Sequence, residues 1–122
     1  MKKIIILDCG PSLEAVSKKY GHSSEWIMTV LKDTDSHFLW VKSYEGQTIE
    51  YTDGDAWIIT GSPRSVYDDD NWIIKLEENI RIAGKNNKLI LGICFGHQLI
   101  AKTFGGRVEL NPNGWELGSY SI

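Results

Sequence analysis

The chain has little of what would place it outside a cell. Its 122 residues contain two cysteines, Cys9 and Cys94. Two are too few for the disulfide framework of a small secreted domain, so a reducing, cytoplasmic setting is expected. No apolar run approaches the ~20 residues that cross a bilayer, and no membrane association is expected. Lys2 and Lys3 followed by Ile4 to Leu7 resemble the start of a secretory leader, but Asp8 ends the run early and no small-residue cleavage site follows. Positive charge is not in excess either. The net charge of -3 gives no electrostatic case for nucleic acid as a partner. The three histidines and two cysteines are scattered without zinc-type spacing, and a glycine-rich phosphate loop is absent, so neither metal nor cofactor is expected. No internal repeat, low-complexity tract or linker divides the chain. Hydrophobic residues at 42% and charged residues at 24% are ordinary for a globular protein, and the length allows one domain with a real core.

Along the chain, apolar strand-like runs alternate with helical stripes. Lys3–Leu7 reads as a first strand, continuous enough to be covered on both faces. A short helix is expected over Leu13–Lys19, stopped by Gly21. Ser23 or Ser24 then offers an N-cap, with Glu25 in the first turn. Trp26, Ile27, Val30 and Leu31 share one stripe of the following helix, which should pack on a sheet. His37–Val41 and Ala56–Thr60 read as the second and third strands, the latter broken at Gly61-Ser62-Pro63. The acidic run Asp68-Asp69-Asp70 precedes a helix over 71–83 and suits its dipole, favouring a capping role over a metal site. Trp72, Leu76, Ile80 and Ala83 fall on one face of that helix, and Gly84 is its stop signal. Lys88–Ile93 reads as strand four. Gly105-Gly106 closes the next helix, Arg107–Leu110 reads as a fifth strand, Asn111–Gly114 as a turn and Trp115–Ile122 as a further extended segment. Strands alternating with helices predict an α/β fold, a doubly wound, mostly parallel sheet with helices on both faces.

Most of the chemistry lies in Leu91-Gly92-Ile93-Cys94-Phe95-Gly96-His97-Gln98. A strand before the cysteine and a helix over Gln98–Phe104 after it put Cys94 on the turn between them, the geometry of a nucleophile elbow. Flanking glycines relieve the crowding of such a turn and permit positive φ. Unpaired N–H groups and the helix dipole at that point favour an anionic sulfur. The competing reading is a buried core cysteine. Gln98 lies one helical turn beyond Cys94 and either faces the same substrate or is a surface amide. His97 points to a different side of the helix and receives no catalytic role. His22 and His37 are assigned surface or packing roles. Cys9 ends the first strand on the same rim as Cys94, its role is open, and no bond between the two is indicated.

The pattern Gly92-x-Cys94-x-Gly96-x-Gln98 resembles the nucleophile motif of class I glutamine amidotransferases. Ile5-Ile6-Leu7-Asp8, Ile58-Ile59-Thr60-Gly61-Ser62-Pro63, Gly105-Gly106-x-Val108 and Gly114-Trp115-Glu116-Leu117-Gly118 fit the same family in order and spacing. The likeness is greatest to GMP-synthase-type domains, including stand-alone GMP-synthase-like proteins. It implies a flavodoxin-like class I amidotransferase fold and a mechanism in which Cys94 attacks the side-chain amide of glutamine, ammonia leaves, and water hydrolyses the glutamyl thioester. The oxyanion would be held by the backbone N–H of Phe95 and by a second N–H from the Gly61-Ser62-Pro63 loop, that of Ser62. Many relatives carry glycine where this chain has Ser62, but a backbone donor survives that change. Taken alone, Gly61-Ser62-Pro63 is a turn after a strand. Gln98 and Gly96 would line the substrate, and an ammonia-accepting synthetase domain or subunit is an implied partner.

A general base is missing from the pattern. In this family a histidine and a glutamate two residues apart follow far downstream of the cysteine, whereas no His-x-Glu follows Cys94 here. Residues 1–122 therefore resemble the N-terminal part of a class I amidotransferase domain, apparently truncated. An exposed sheet edge and uncovered apolar faces are expected, to be covered by a missing C-terminal half or by self-association. Three readings stay open: a glutamine-hydrolysing enzyme completed from elsewhere, a non-catalytic remnant or binding module of the same fold, and a related cysteine peptidase or γ-glutamyl hydrolase. The Gly114 to Gly118 segment favours the synthase-like branch over the last. The ammonia acceptor is open.

Overall fold

Runs of Ile, Leu, Val and Trp, each too short for a stable helix, pair into one sheet. A computed structural model describes residues 1–115 of the chain. Its elements, in order, are β1 (Lys2–Asp8), α1 (Glu14–Tyr20), α2 (Ser23–Val30), β2 (Ser36–Lys42), a 3-10 turn (Ser43–Glu45), β3 (Ala56–Ile59), α3 (Asn71–Lys85), β4 (Leu89–Gly92) and α4 (Phe95–Thr103). The strand order is β2-β1-β3-β4, and every pairing is parallel. Leu7 stands in register with Val41 on one side and with Ile59 on the other, and Ile59 in turn with Gly92. The carboxyl ends of all four strands therefore form one rim. Asp8, Cys9, Thr60 and Cys94 all lie along it.

The doubly wound architecture follows from the period-2 alternation of the strands. Ile5, Leu7, Trp57 and Ile59 face α3 and α4, where Ile73, Leu76, Ile80, Ala83, Phe95 and Leu99 complete the buried core. On the opposite face α2 crosses the sheet with Ile58 beneath it. Coverage there is partial. Trp26 and Val30 of the expected stripe are exposed, as are Leu91 and Ile93. Those residues surround an open apolar cleft of about 320 Å³ between α2 and β3–β4. Leu89, at the same strand, is 72% exposed, and β4 pairs with no strand on its outer side among the described residues. Among the described residues, the exposed edge and uncovered apolar face expected from the sequence are both present.

Several local expectations are corrected. The N-cap of α2 is His22, not Ser23 or Ser24; the Glu25 carboxylate accepts the His22 N–H at 2.6 Å, and the Ser24 hydroxyl turns inward to donate to Asp8. Asp70 does hold the N-cap position of α3, but it makes no side-chain capping bond. Asp70 and Asp68 instead pair with the Arg64 guanidinium at 2.8 and 3.2 Å. The buried stripe of α3 is Ile73, Leu76, Ile80 and Ala83, while Trp72 is half-buried against the ring of Phe95. Gly84 does not stop α3, which runs on to Lys85. A Cβ there would lie 2.4 Å from the Phe104 ring, so Gly84 permits close packing of α3 on the end of α4. Helix α4 begins at Phe95, three residues earlier than the apolar pattern predicts. Arg107–Leu110 forms no strand. That segment is carried to the α3–α4 face, where no strand is available to pair; the Val108 N–H donates to the Tyr67 hydroxyl at 3.2 Å, and Leu110 is exposed. The Asn111–Gly114 turn does form, closed by Gly114 N–H to Asn111 O at 3.0 Å. Of the extended segment Trp115–Ile122, residues 116–122 lie outside the described residues, as does the Glu116-Leu117-Gly118 part of the motif.

Candidate active site

The elbow is built by close backbone packing. A Cβ on Gly96 would lie 2.3 Å from Ile59 O, and one on Gly92 would lie 2.5 Å from the carbonyl carbon of Gly96 and from His97 N. Neither contact is tolerable, so glycine at both positions lets the first turn of α4 sit directly on β3 and β4. The turn is pinned by Ile93 N–H to Ile59 O (2.9 Å) and by Gly96 N–H to both Ile93 O (2.9 Å) and Thr60 O (3.2 Å). Between them Cys94 is forced to φ 53 and ψ -111. A non-glycine residue held there stores strain of roughly 1–3 kcal/mol, which persists only because the surrounding contacts over-determine the turn. The Cys94 side chain emerges at the rim, exposed.

The residues named from the motifs fall on both sides of this sulfur. Gly61 comes against it, since a Cβ on Gly61 would be 3.6 Å from Cys94 Cβ. Phe95, first residue of α4, has its ring buried against Trp72 and its N–H in the helix's first turn, where no intrahelical acceptor exists. Ser62 follows Gly61 in the loop that faces the elbow. Gln98 is exposed on α4 one turn beyond the cysteine, its N–H donating to Cys94 O at 3.0 Å. Gly96 spends its N–H on the two backbone carbonyls just described. His97 is exposed on the same turn, His37 is exposed on β2, and His22 caps α2 with its ring 5.6 Å from Trp40.

Two features of the rim go beyond the sequence reading. Asp8 is fully buried, its carboxylate accepting from Ser24 Oγ (2.9 Å), Trp40 Nε1 (2.9 Å) and Gly10 N–H (3.1 Å). It thereby ties the start of α2 and strand β2 to the end of β1. Thr60 is also buried, and its hydroxyl accepts from Cys9 N–H at 2.9 Å and donates to Gly61 O at 3.0 Å. An aspartate at a strand end and a threonine before a glycine were the available signals, but each also fits an ordinary strand terminus. Cys9 is unlike Cys94: burial, reinforced by the Asp8 charge, pushes its thiol up to about 12. Beyond the Gly61-Ser62-Pro63 loop, a cleft of about 550 Å³ opens between Gly10, Ser12, Ser23, Gly61, Ser62 and Pro63. Among the described residues, no group of three or more His, Cys, Asp or Glu side chains is placed to hold a metal ion, and no helix is long and apolar enough to cross a membrane.

Comparison with known proteins agrees with this geometry. The sequence pattern of the family described as glutamine amidotransferase class-I matches residues 5–119. The chain is 34% identical to gamma-glutamyl peptidase 4 of Arabidopsis thaliana over 119 residues, which is 95% of this chain and 47% of that protein. Over a shorter stretch of 52 residues it is 52% identical to the glutamine-hydrolyzing GMP synthase of Clostridium kluyveri, covering 43% of this chain and 9% of the synthase. The fold superposes on a crystal structure of a glutamine amido transferase from Methylobacillus flagellatus with a TM-score of 0.65 at 23% identity, covering 92% of this chain and 42% of that one. The chain spans about half the length of the curated relatives that match most of it.

Proposed function

The chain belongs to the class I glutamine amidotransferase family, and from that premise we propose that Cys94 cleaves the γ-carboxamide of glutamine through a γ-glutamyl thioester. The observation that carries the reading is the positive-φ cysteine at the start of α4, set against Gly61 of the facing loop. In the proposed reaction the Cys94 sulfur adds to the amide carbon, and the carbonyl electron pair moves onto oxygen. That oxyanion accepts from the N–H groups of Phe95 and Ser62. Its collapse expels the protonated nitrogen as ammonia, and water hydrolyses the thioester to glutamate. Gln98, with the Gly96 turn beneath it, lines the substrate. Two free cysteines suit a cytoplasmic setting.

The proton that leaves the thiol and reaches the departing nitrogen needs a base, and the His-x-Glu pair that would supply it does not follow Cys94 in these residues. We assign the base to polypeptide outside these 122 residues, seated on the β4 edge and the apolar face of Leu89, Leu91 and Ile93. The exposure of those side chains and the chain's half-length match to its relatives support this. Ammonia would pass to a synthetase domain or subunit, a reading supported by the local likeness to a GMP synthase. A second reading, hydrolysis of a γ-glutamyl amide with a leaving group larger than ammonia, is favoured by the cleft beside Ser62 and by the gamma-glutamyl peptidase likeness.

An activated γ-glutamyl anilide tests the proposal, because its leaving group needs little proton transfer. Intact-mass analysis should show a γ-glutamyl adduct on the protein and none on Cys94→Ala. Absence of the adduct on the unaltered protein would favour a non-catalytic binding module. Ammonia or amino-acid release from glutamine and γ-glutamyl peptides in parallel separates the two substrate readings. Sedimentation with and without a candidate base-bearing polypeptide distinguishes its docking from self-association.

A further inference from the structure

The donor expected from the loop is the N–H of Ser62, and that N–H belongs to the same rigid peptide unit as the Gly61 carbonyl. Fixing the carbonyl therefore fixes the direction of the N–H. Thr60 does so from the protein interior: its hydroxyl accepts a hydrogen bond from Cys9 N–H at 2.9 Å and donates one to Gly61 O at 3.0 Å. The order of donors leaves no freedom, because a hydroxyl that donates to Gly61 O must accept from Cys9. On the outer side the Ser62 hydroxyl accepts from Arg64 N–H at 3.1 Å, closing a turn over Ser62-Pro63-Arg64, the stretch that follows this peptide. The backbone of Thr60 is held as well. Its N–H donates to Leu7 O at 3.1 Å, and its carbonyl accepts from Gly96 N–H in the nucleophile turn at 3.2 Å. Thr60 is 1% exposed and touches β1, the loop and the elbow at once.

We propose that Thr60 is a positioning residue that locks the Gly61–Ser62 peptide so that the Ser62 N–H faces the oxyanion formed at Cys94. This rests on the function proposed above. With the hydroxyl removed, the peptide is free to rotate, and the donor no longer stays aimed at the developing charge. A threonine at this point is then a device for preorganising a backbone donor and not simply the last residue of a strand.

The test uses L-glutamate γ-semialdehyde with the whole protein. The Cys94 sulfur adds to the aldehyde carbon, a C–S bond forms, the carbonyl pair moves to oxygen, and the alkoxide takes up the thiol's proton through solvent. The resulting hemithioacetal occupies the oxyanion position and protects Cys94 from iodoacetamide. Thr60→Val, which keeps the side-chain shape, should weaken that protection about tenfold while the unprotected alkylation rate stays within about twofold; Thr60→Ser should return to within about threefold of the starting protein. Equal protection in Thr60→Val, or a fall in alkylation as large as the fall in protection, overturns the proposal. If Thr60→Val does not fold, Thr60→Ala, which also removes the hydroxyl, carries the test. A loss of about tenfold in protection with alkylation unchanged sustains the proposal, and no loss overturns it. A starting protein that the semialdehyde does not protect sinks the proposed function itself, a result distinct from failure of the Thr60 assignment alone.

Discussion

Strands β1 and β4 each run into a cysteine on the same rim of the sheet, and the two cysteines end in opposite surroundings, one buried and one exposed. After β1 the chain continues through Cys9 in extended fashion. The Cys9 N–H is spent on Thr60, its sulfur lies 3.6 Å from Leu7 O, and burial beside Asp8 holds the thiol neutral. After β4 the chain turns sharply into α4, with Cys94 at φ 53 between two glycines that no other residue could replace without collision, and its side chain is exposed. Residue type and place on the rim are alike. The difference is the turn: a helix packed hard on the sheet expels the side chain at its N-terminus, whereas a loop that stays in the layer buries it.

The sharpest way to break this contrast is to remove each sulfur. Cys94→Ala should abolish modification by a general thiol reagent in the native protein, while Cys9→Ala should leave the modification rate within about twofold, because a buried neutral thiol contributes little reactivity. Mass spectrometry of the alkylated protein reads both. Next in size is the packing of the turn. Gly96→Ala drives a methyl into Ile59 O and should cost about 3 kcal/mol or more, seen as a fall in the urea midpoint. Gly10→Ala, at the corresponding end of β1, meets Pro63 Cδ at 2.7 Å and should cost less, about 1–2 kcal/mol, since the proline loop can shift.

Alkaline stability sharpens the contrast from the Cys9 side. Its thiol is raised from an ordinary 9.0 to about 12 in the folded state, so above pH 9 the unfolded chain releases a proton that the folded chain keeps. The stabilising contribution is complete below pH 9 and is lost as pH rises towards 12, at up to about 1.4 kcal/mol per pH unit. Cys9→Ala should flatten that part of the stability curve measured by urea unfolding. The smallest effect is expected on the uncovered face. Leu91→Ser, at a side chain 58% exposed, should change the stability of the isolated chain by about 0.5 kcal/mol or less, yet reduce association with any polypeptide that covers β4.

The difference between the two rim cysteines also separates what the residues disclose from what they do not. The parallel sheet was legible because continuous apolar runs such as Ile4 to Leu7 have few other uses, and the elbow because Gly92 and Gly96 bracket a cysteine at the junction of two periodicities. The uncovered β4 face could be expected from the missing His-x-Glu. Arg107–Leu110 misled because alternating apolar residues predict a strand only where a neighbour is present to pair with, and α4 carries this segment to the helical side. Gly84 misled because a glycine that ends a helix and one that admits a Phe104 ring look alike in one dimension. Thr60 and Asp8 were hidden for a related reason. Their roles lie in hydrogen bonds to Cys9, Gly61, Ser24 and Trp40, partners set by tertiary register and not by spacing along the chain.

The central claim, that Cys94 and not merely a reactive thiol forms a glutamine-recognising nucleophile, is tested most directly by a glutamine-mimicking chloroketone followed by peptide mapping. The account predicts saturable alkylation at Cys94, slowed by added glutamine, with Cys9 unmodified. Free reaction of Cys94 with a general thiol reagent alongside no saturable chloroketone labelling, or labelling that glutamine does not slow, would contradict it.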